Sequence, residues 1–130
     1  MIVQLRTSRD LLDTMRIGQS PAWKISKLSL KHHDTTRVHV VNWDGTLRIE
    51  GDYCEDKSIE DHPDHPPGRT VVAFTNPVVR LCKVEFANPR NPVSYHELAY
   101  ESETASVPSY EANGKWPPPS RDSCNSLYDE

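Results

Sequence analysis

The segment RVHVVNWDGTLRIEGDY, residues 37–53, restricts the fold more than any other part of the chain. Two runs that alternate apolar and polar residues flank Asp44-Gly45, a strong signal for a two-residue β-hairpin loop of type I′. A loop at that place also fixes which residues face each other, and it sets Val40 opposite Ile49. The sequence therefore predicts an antiparallel hairpin with a defined register.

The two faces of this predicted hairpin differ in character. One face is apolar and suits a core, with Val38, Val40, Leu47, Ile49 and Tyr53. The other face is polar, with Arg37 opposite Asp52, His39 opposite Glu50, and Arg48 near Trp43. Opposite charges therefore face each other, which supports the register. An exposed Trp beside Arg suits bases, sugars or peptides; the alternatives are a hydrated sheet face or a Trp covered by the C-terminal tail.

Regular elements are predicted on both sides of the hairpin. Ser8 as N-cap and Gly18 after the last turn indicate a helix over about residues 9–17. Residues 22–31 are typical of a strand, with a bulge near Ser26-Lys27 that keeps its apolar residues inward. Residues 69–86 predict a second hairpin that turns at Asn76-Pro77.

A second helix predicted near residue 95 completes an α+β fold. Ser94 to Glu97 form a capping-box sequence, which predicts a short helix over about residues 95–101. We expect a mostly antiparallel sheet made of two hairpins plus an N-terminal strand, with two short helices. Cys82 lies among apolar residues in a predicted strand and is expected in the core.

The composition changes after residue 101. Residues 1–101 are expected to form one compact α+β domain, and residues 102–130 an extended tail rich in Pro, Ser and acids. The tail would pack on the domain or on a neighbouring chain, which makes a homo-oligomer through the tail an alternative. Its expected anchors are Tyr110, Trp116 and Tyr128, and residues 117–119 would form a polyproline II arm.

Cysteine usage and hydropathy indicate the compartment. The three cysteines, at positions 54, 82 and 124, are widely separated and form no CxxC pair. This favours a reducing, cytoplasmic location over a secreted disulfide scaffold. The N-terminus has no signal-peptide core, and no run reaches the roughly 18 apolar residues of a membrane span, so no membrane partner is expected.

Charge is distributed unevenly along the chain, whose net charge is −4. Residues 1–48 carry eight Lys or Arg against four acids, whereas residues 49–68 carry seven acids and one Lys. The acids either neutralise the basic first third within the fold or form an acidic face for a cationic partner. Nucleic-acid binding by the basic first third is an alternative that the acidic net charge disfavours.

The sequence CEDKSIEDHPDHPPGR, residues 54–69, is called the acidic loop below. Its prolines exclude a helix, and His62-Pro-Asp-His65 matches a β-turn that would bring both imidazoles together. Either it is a solvated loop or a protein-binding surface, or it holds a divalent metal, with His62, His65, Asp64 and Cys54 as ligands. No other cofactor is expected.

These patterns favour a small acidic binding protein of the inhibitor, immunity or adaptor type, with a basic protein as its partner. The residues expected to bind the partner are Glu55, Asp56, Glu60, Asp61, Asp64, Trp43 and Arg48. The first alternative is an enzyme, metal-dependent or Cys/His, centred on Cys54, His62 and His65, although the common catalytic motifs are absent. The second is a small-ligand-binding protein whose pocket the tail closes, with Trp116 as a lid.

Overall fold

The computed structural model describes residues 1–88 and 90–105, which form a curled mixed β-sheet with three short helices. The strands are β1 (Ile2–Thr7), β2 (Gln19–Trp23), β3 (Arg37–Asn42), β4 (Leu47–Tyr53), β5 (Ile59–Glu60), β6 (Thr70–Leu81) and β7 (Val93–His96). The helices are α1 (Leu11–Ile17), α2 (Lys27–His32) and α3 (Ala99–Glu103). The predicted tail anchors Tyr110, Trp116 and Tyr128 and the arm at 117–119 lie outside the described residues.

The strand order is β2-β6-β4-β3-β1-β7, and β5 pairs with β6. β1 and β3 are parallel, whereas the other pairings between these strands are antiparallel. The α+β prediction is thus confirmed in outline, but the sheet is mixed. The difference arises because Ile2–Thr7 forms a strand that was not predicted, and the chain returns through α1, β2 and α2 before β3 runs beside it.

The predicted hairpin register is confirmed. Val40 pairs with Ile49, and Val41 with Arg48. The turn itself is not of type I′, because Asp44 lacks the positive φ that this type requires at both central residues. Instead the Gly45 amide donates to the Asn42 carbonyl at 3.0 Å, and the four residues 43–46 connect the strands.

The first predicted helix is present but starts later than expected. α1 begins at Leu11, and its N-cap is Asp10, whose carboxylate accepts from the Leu12 amide at 2.9 Å. Ser8 is therefore not the cap. Gly18 ends the helix with a φ of 76°, as predicted from its position.

The predicted strand over residues 22–31 is wrong beyond Trp23. Ser26 caps α2 by accepting from the Ser29 amide at 3.0 Å. The helix buries Leu30 completely and leaves Leu28 75% exposed. The prediction turned both leucines inward, which a strand with a bulge allows and this short helix does not.

Two further predictions fail near prolines. Residues 70–81 form one long strand instead of a hairpin, because Asn76 takes a φ of 51° and the register with β4 shifts there without reversing the chain. The predicted helix at 95–101 is replaced by β7 up to His96 and by α3 from Ala99.

The main core lies between α1, α2 and the sheet. None of the helices in the described ranges is long and apolar enough to span a membrane.

Gly45 provides a test of how the hairpin is closed. Its φ is 75°, and a Cβ there would lie 2.3 Å from the Val84 carbonyl oxygen, so Gly45→Ala should lower the free energy of unfolding by roughly 2–5 kcal/mol. Gly68 is the matched control, since its φ is 81° and no atom lies within 4 Å of the added Cβ. Gly68→Ala should cost roughly 1–2 kcal/mol in urea unfolding. Equal losses would contradict the close approach at Gly45.

Candidate functional site

The centre of the hairpin's polar face is buried, whereas its two ends, at Asp52 and Trp43, are partly exposed. His39 and Arg48 have no exposed surface, and Glu50 is 2% exposed. Residues of α3 and the turn after it, Glu101 and Thr104, contact this face. A helix that lies 50 residues further along the chain therefore converts an expected wet surface into a buried charge network, consisting of Arg37, His39, Arg48, Glu50, Arg80 and Glu101.

Glu50 is the centre of this network. Its Oε2 accepts from Arg48 Nε at 2.8 Å, and its Oε1 accepts from Arg80 Nε at 2.9 Å. Arg48 also donates to the Thr104 hydroxyl and to the Glu101 carbonyl. Buried charges are tolerated when they are paired and hydrogen-bonded, and here each oxygen of the carboxylate has its own guanidinium.

Glu101 binds the other edge of the network. Its Oε1 accepts from Arg37 Nη2 at 2.8 Å and lies 2.9 Å from His39 Nε2. Burial alone would raise the pKa of Glu101, but the hydrogen bonds from His39 and Arg37 lower it overall. Burial lowers the pKa of His39 to about 4, so His39 is neutral at pH 7 and donates its Nε2 proton to Glu101.

A metal is a poor fit to this cluster despite its ligand types. Potential ligand atoms of His39, Glu50 and Glu101 lie within 4.8 Å of one another, and no other such group of three occurs among residues 1–88 and 90–105. Three guanidinium groups already hold the two carboxylates, and they would repel a divalent cation. The arrangement is that of a structural charge network.

The predicted metal ligands of the acidic loop are not brought together. The His62–His65 turn is present, with the His65 amide donating to the His62 carbonyl at 3.0 Å and ring centroids 5.3 Å apart. However, His62 Nδ1 accepts from the Asp64 amide at 3.1 Å. Cys54 completes no three-ligand group with these residues, and no hydrogen bond joins its thiol to a histidine in the described part of the chain. Of the predicted ligands, the turn thus brings His62 and His65 near each other, and the described residues hold no third ligand within reach of them.

The carboxylates of the acidic loop are exposed and have no Lys or Arg partner in the described part of the chain. All five loop acids are exposed, and they are Glu55, Asp56, Glu60, Asp61 and Asp64. Within the described residues, no salt bridge joins any of them to Lys or Arg. The acids that neutralise basic residues inside the fold are instead Glu50, Asp52 and Glu101.

Trp43 and Arg48, the two expected anchors on the sheet, are separated. Trp43 is 51% exposed, whereas Arg48 is fully buried and cannot contact a partner directly. The cation beside Trp43 is Arg6, whose guanidinium carbon lies 3.9 Å from the ring centroid. Sequence reasoning counted Arg6 among the basic residues of the first third but did not place it beside Trp43, although the alternation in IVQLRT was a signal for a strand that would present it. It missed Glu101, which no local signal marked.

Two open grooves lie near these residues. One, of about 390 Å³, runs between α1 and the acidic loop and includes His62 and His65. The other, of about 580 Å³, lies beside Trp43. Trp116, the predicted lid of a ligand pocket, lies outside the described residues.

The buried network predicts an unusually large effect of removing one charge. Glu50→Gln leaves the Arg48 guanidinium buried without its counter-charge, so the free energy of unfolding should fall by about 3–5 kcal/mol in urea titrations. Asp52→Asn is the control, because the Asp52 side chain is 49% exposed, and it should cost about 1 kcal/mol or less. The loss of unfolding free energy in the double variant Arg48→Met/Glu50→Met should be much smaller than the sum of the losses in the two single variants. A loss in Glu50→Gln no larger than in Asp52→Asn would refute the network's role.

His39 predicts the pH dependence of stability. Its pKa is about 4 when folded and about 6.5 when unfolded, so the unfolded state binds more protons between these values. The free energy of unfolding should therefore fall as the pH decreases from 6.5 towards 4, by up to about 3 kcal/mol. His39→Gln keeps a donor for Glu101 and should flatten this slope. His96→Gln should change the slope less, since burial lowers the pKa of His96 but its side chain is only half-buried. An unchanged slope in His39→Gln would contradict the assignment.

Comparisons of this chain with protein-family models, with curated proteins and with solved structures found no match.

Proposed function

We propose that this chain is a small binding protein of the inhibitor, immunity or adaptor type, which docks the cationic face of a protein partner through its acidic loop. One observation carries the proposal: five exposed carboxylates stand on one loop without a Lys or Arg partner in the described part of the chain. Unpaired surface charges of one sign attract an oppositely charged partner and accelerate its association.

The loop is held in shape before any partner arrives. Asp61 Oδ1 accepts from the Gly68 amide at 2.7 Å, and the Asp61 amide donates to the Arg69 carbonyl at 3.0 Å. At the base of the loop, the Ser58 hydroxyl donates to the Cys54 carbonyl at 2.8 Å and accepts from the Ala73 amide at 2.9 Å. A loop that is already ordered loses little conformational entropy on binding, which favours affinity.

The five acids divide between two roles. Asp61 and Glu60 also hold the loop, since Glu60 Oε2 accepts from the Lys27 amide at 3.2 Å. Glu55, Asp56 and Asp64 make no such contact with a side-chain oxygen, apart from the 3.8 Å approach of Asp64 to His62. These three carboxylates are therefore the ones whose charge is available to a partner without loss of loop structure.

The matched experiment compares two triple variants that change the net charge equally, from −4 to −1 by three neutralisations. The test variant is Glu55→Gln/Asp56→Asn/Asp64→Asn, and the control is Glu85→Gln/Glu97→Gln/Glu103→Gln, whose carboxylates are exposed outside the loop. An arginine-rich peptide serves as the probe, with affinity measured by calorimetry and the contact mapped by amide NMR shifts. The test variant should weaken binding about 10-fold or more, and the control by less than about 3-fold.

The dependence of peptide affinity on salt concentration is the second measurement. Because exposed charges are screened, affinity for the peptide should fall as the ionic strength rises from about 0.05 M to 0.3 M. Equal losses in both triple variants would show a mere effect of net charge. Amide shifts that avoid residues 54–69, or affinity that is independent of salt, would overturn the proposal.

A further inference from the structure

A second surface of opposite charge lies at another edge of the sheet. The groove beside Trp43 forms where the neighbouring parallel strands β1 and β3 end, a position that commonly binds ligands in sheets with parallel strands. Among the described residues that line this groove, five are Arg or Lys and none is Asp or Glu. We call it the basic groove; the residues that matter here are Arg6, Arg9, Lys24, Arg90 and Trp43.

Three of these cations are available to a ligand. Arg9, Lys24 and Arg90 are exposed, and their side chains form no salt bridge or hydrogen bond with other described residues. This contrasts with Arg37, Arg48 and Arg80, which are held by carboxylates of the buried charge network. The groove therefore presents three exposed cations together that have no carboxylate partner among the described residues.

Trp43 supplies a fixed aromatic surface at the rim of the basic groove. Arg6 stacks between the rings of Trp43 and Phe86, 3.9 Å from each centroid, and donates from Nη2 to the Trp43 carbonyl at 2.7 Å. These contacts fix the ring and cover one of its faces. With 51% of the residue exposed, Trp43 leaves surface on which a flat ligand can stack.

We propose that the basic groove binds single-stranded nucleic acid, with phosphates on Arg9, Lys24 and Arg90 and one base stacked on Trp43. Cations that follow a backbone and an aromatic ring that stacks a base are the two parts of sequence-tolerant single-strand binding. An acidic peptide would use the cations but has no need of the flat ring. The net charge of the chain is acidic, but none of the described residues that line the basic groove is Asp or Glu.

The acidic loop next to the basic groove limits the length of nucleic acid that the groove can bind. The basic groove shares Arg9 and Pro21 with the smaller groove that His62 and His65 of the acidic loop line. Unpaired carboxylates on that loop repel a long polyanion, so the structure fits a short strand and not an extended duplex. With about three phosphate contacts to a single strand, a plot of the logarithm of the association constant against the logarithm of the salt concentration should have a slope of about −2.

The test uses the full chain and a fluorescent oligothymidylate of about eight nucleotides, with binding followed by anisotropy at about 0.05 M salt. Arg9→Gln/Lys24→Gln/Arg90→Gln should weaken binding at least about 10-fold. The control Arg16→Gln/Lys31→Gln/Lys83→Gln removes three exposed cations outside the groove, so both variants have a net charge of −7 and only the first should lose affinity. Trp43→Ala should weaken binding about 5- to 100-fold, and Trp43→Phe much less.

The outcomes separate this inference from the proposed function. Glu55→Gln/Asp56→Asn/Asp64→Asn should keep or strengthen oligonucleotide binding, whereas the groove variant should still bind the arginine-rich peptide. Failure of oligonucleotide binding at low salt overturns the inference, as does a duplex or an acidic peptide that binds equally well with the same sensitivity to Trp43→Ala. The free protein should not self-associate. If it does so in a salt-dependent way, and if either the loop variant or the groove variant abolishes this, the basic groove binds the acidic loop of a second copy instead of a nucleic acid.

Discussion

The carboxylate of Glu50, clamped by two guanidinium groups beneath α3, is the interaction on which the sheet depends. Arg48 of the same strand and Arg80 of β6 hold this carboxylate, and Arg48 links it to α3 by donating to the Glu101 carbonyl. In a region that excludes water, such contacts act over a lower dielectric than at the surface, and each unpaired member would carry a large desolvation cost. The network therefore selects one position for α3 on the sheet.

This internal pairing explains the distribution of charge outside. The basic residues of the hairpin are neutralised by Glu50, Asp52 and Glu101, so the acids of the loop are not needed to balance them. The molecule consequently presents an exposed acidic loop near the basic groove. If both proposals above hold, the chain would recognise two chemically different partners and could bring a cationic protein near a nucleic acid.

Sequence reasoning succeeded where one local signal decided the geometry and failed where distant residues decided it. Asp44-Gly45 set the hairpin register correctly, and Gly18 marked the end of α1. The burial of His39 and Arg48 was not predictable from the hairpin, because α3 covers them from about 60 residues away. Ser26 was ambiguous between a bulge and a helix cap, and Asn76-Pro77 produced an irregularity within β6 where the pattern suggested a reversal. The His62–His65 turn was predicted, but the local hydrogen bond from the Asp64 amide to His62 Nδ1 was not.

The position of α3 also determines when the domain is able to complete its fold. The contacts of α3 and Thr104 with β3 and β4 join residues separated by 53 to 64 positions, and Thr104 accepts a backbone hydrogen bond from Lys83. During synthesis the hairpin must keep its charged face hydrated until the chain has emerged past residue 104. Contacts of such long sequence separation slow folding, so the closing of α3 over the sheet is expected to be a late event in this chain.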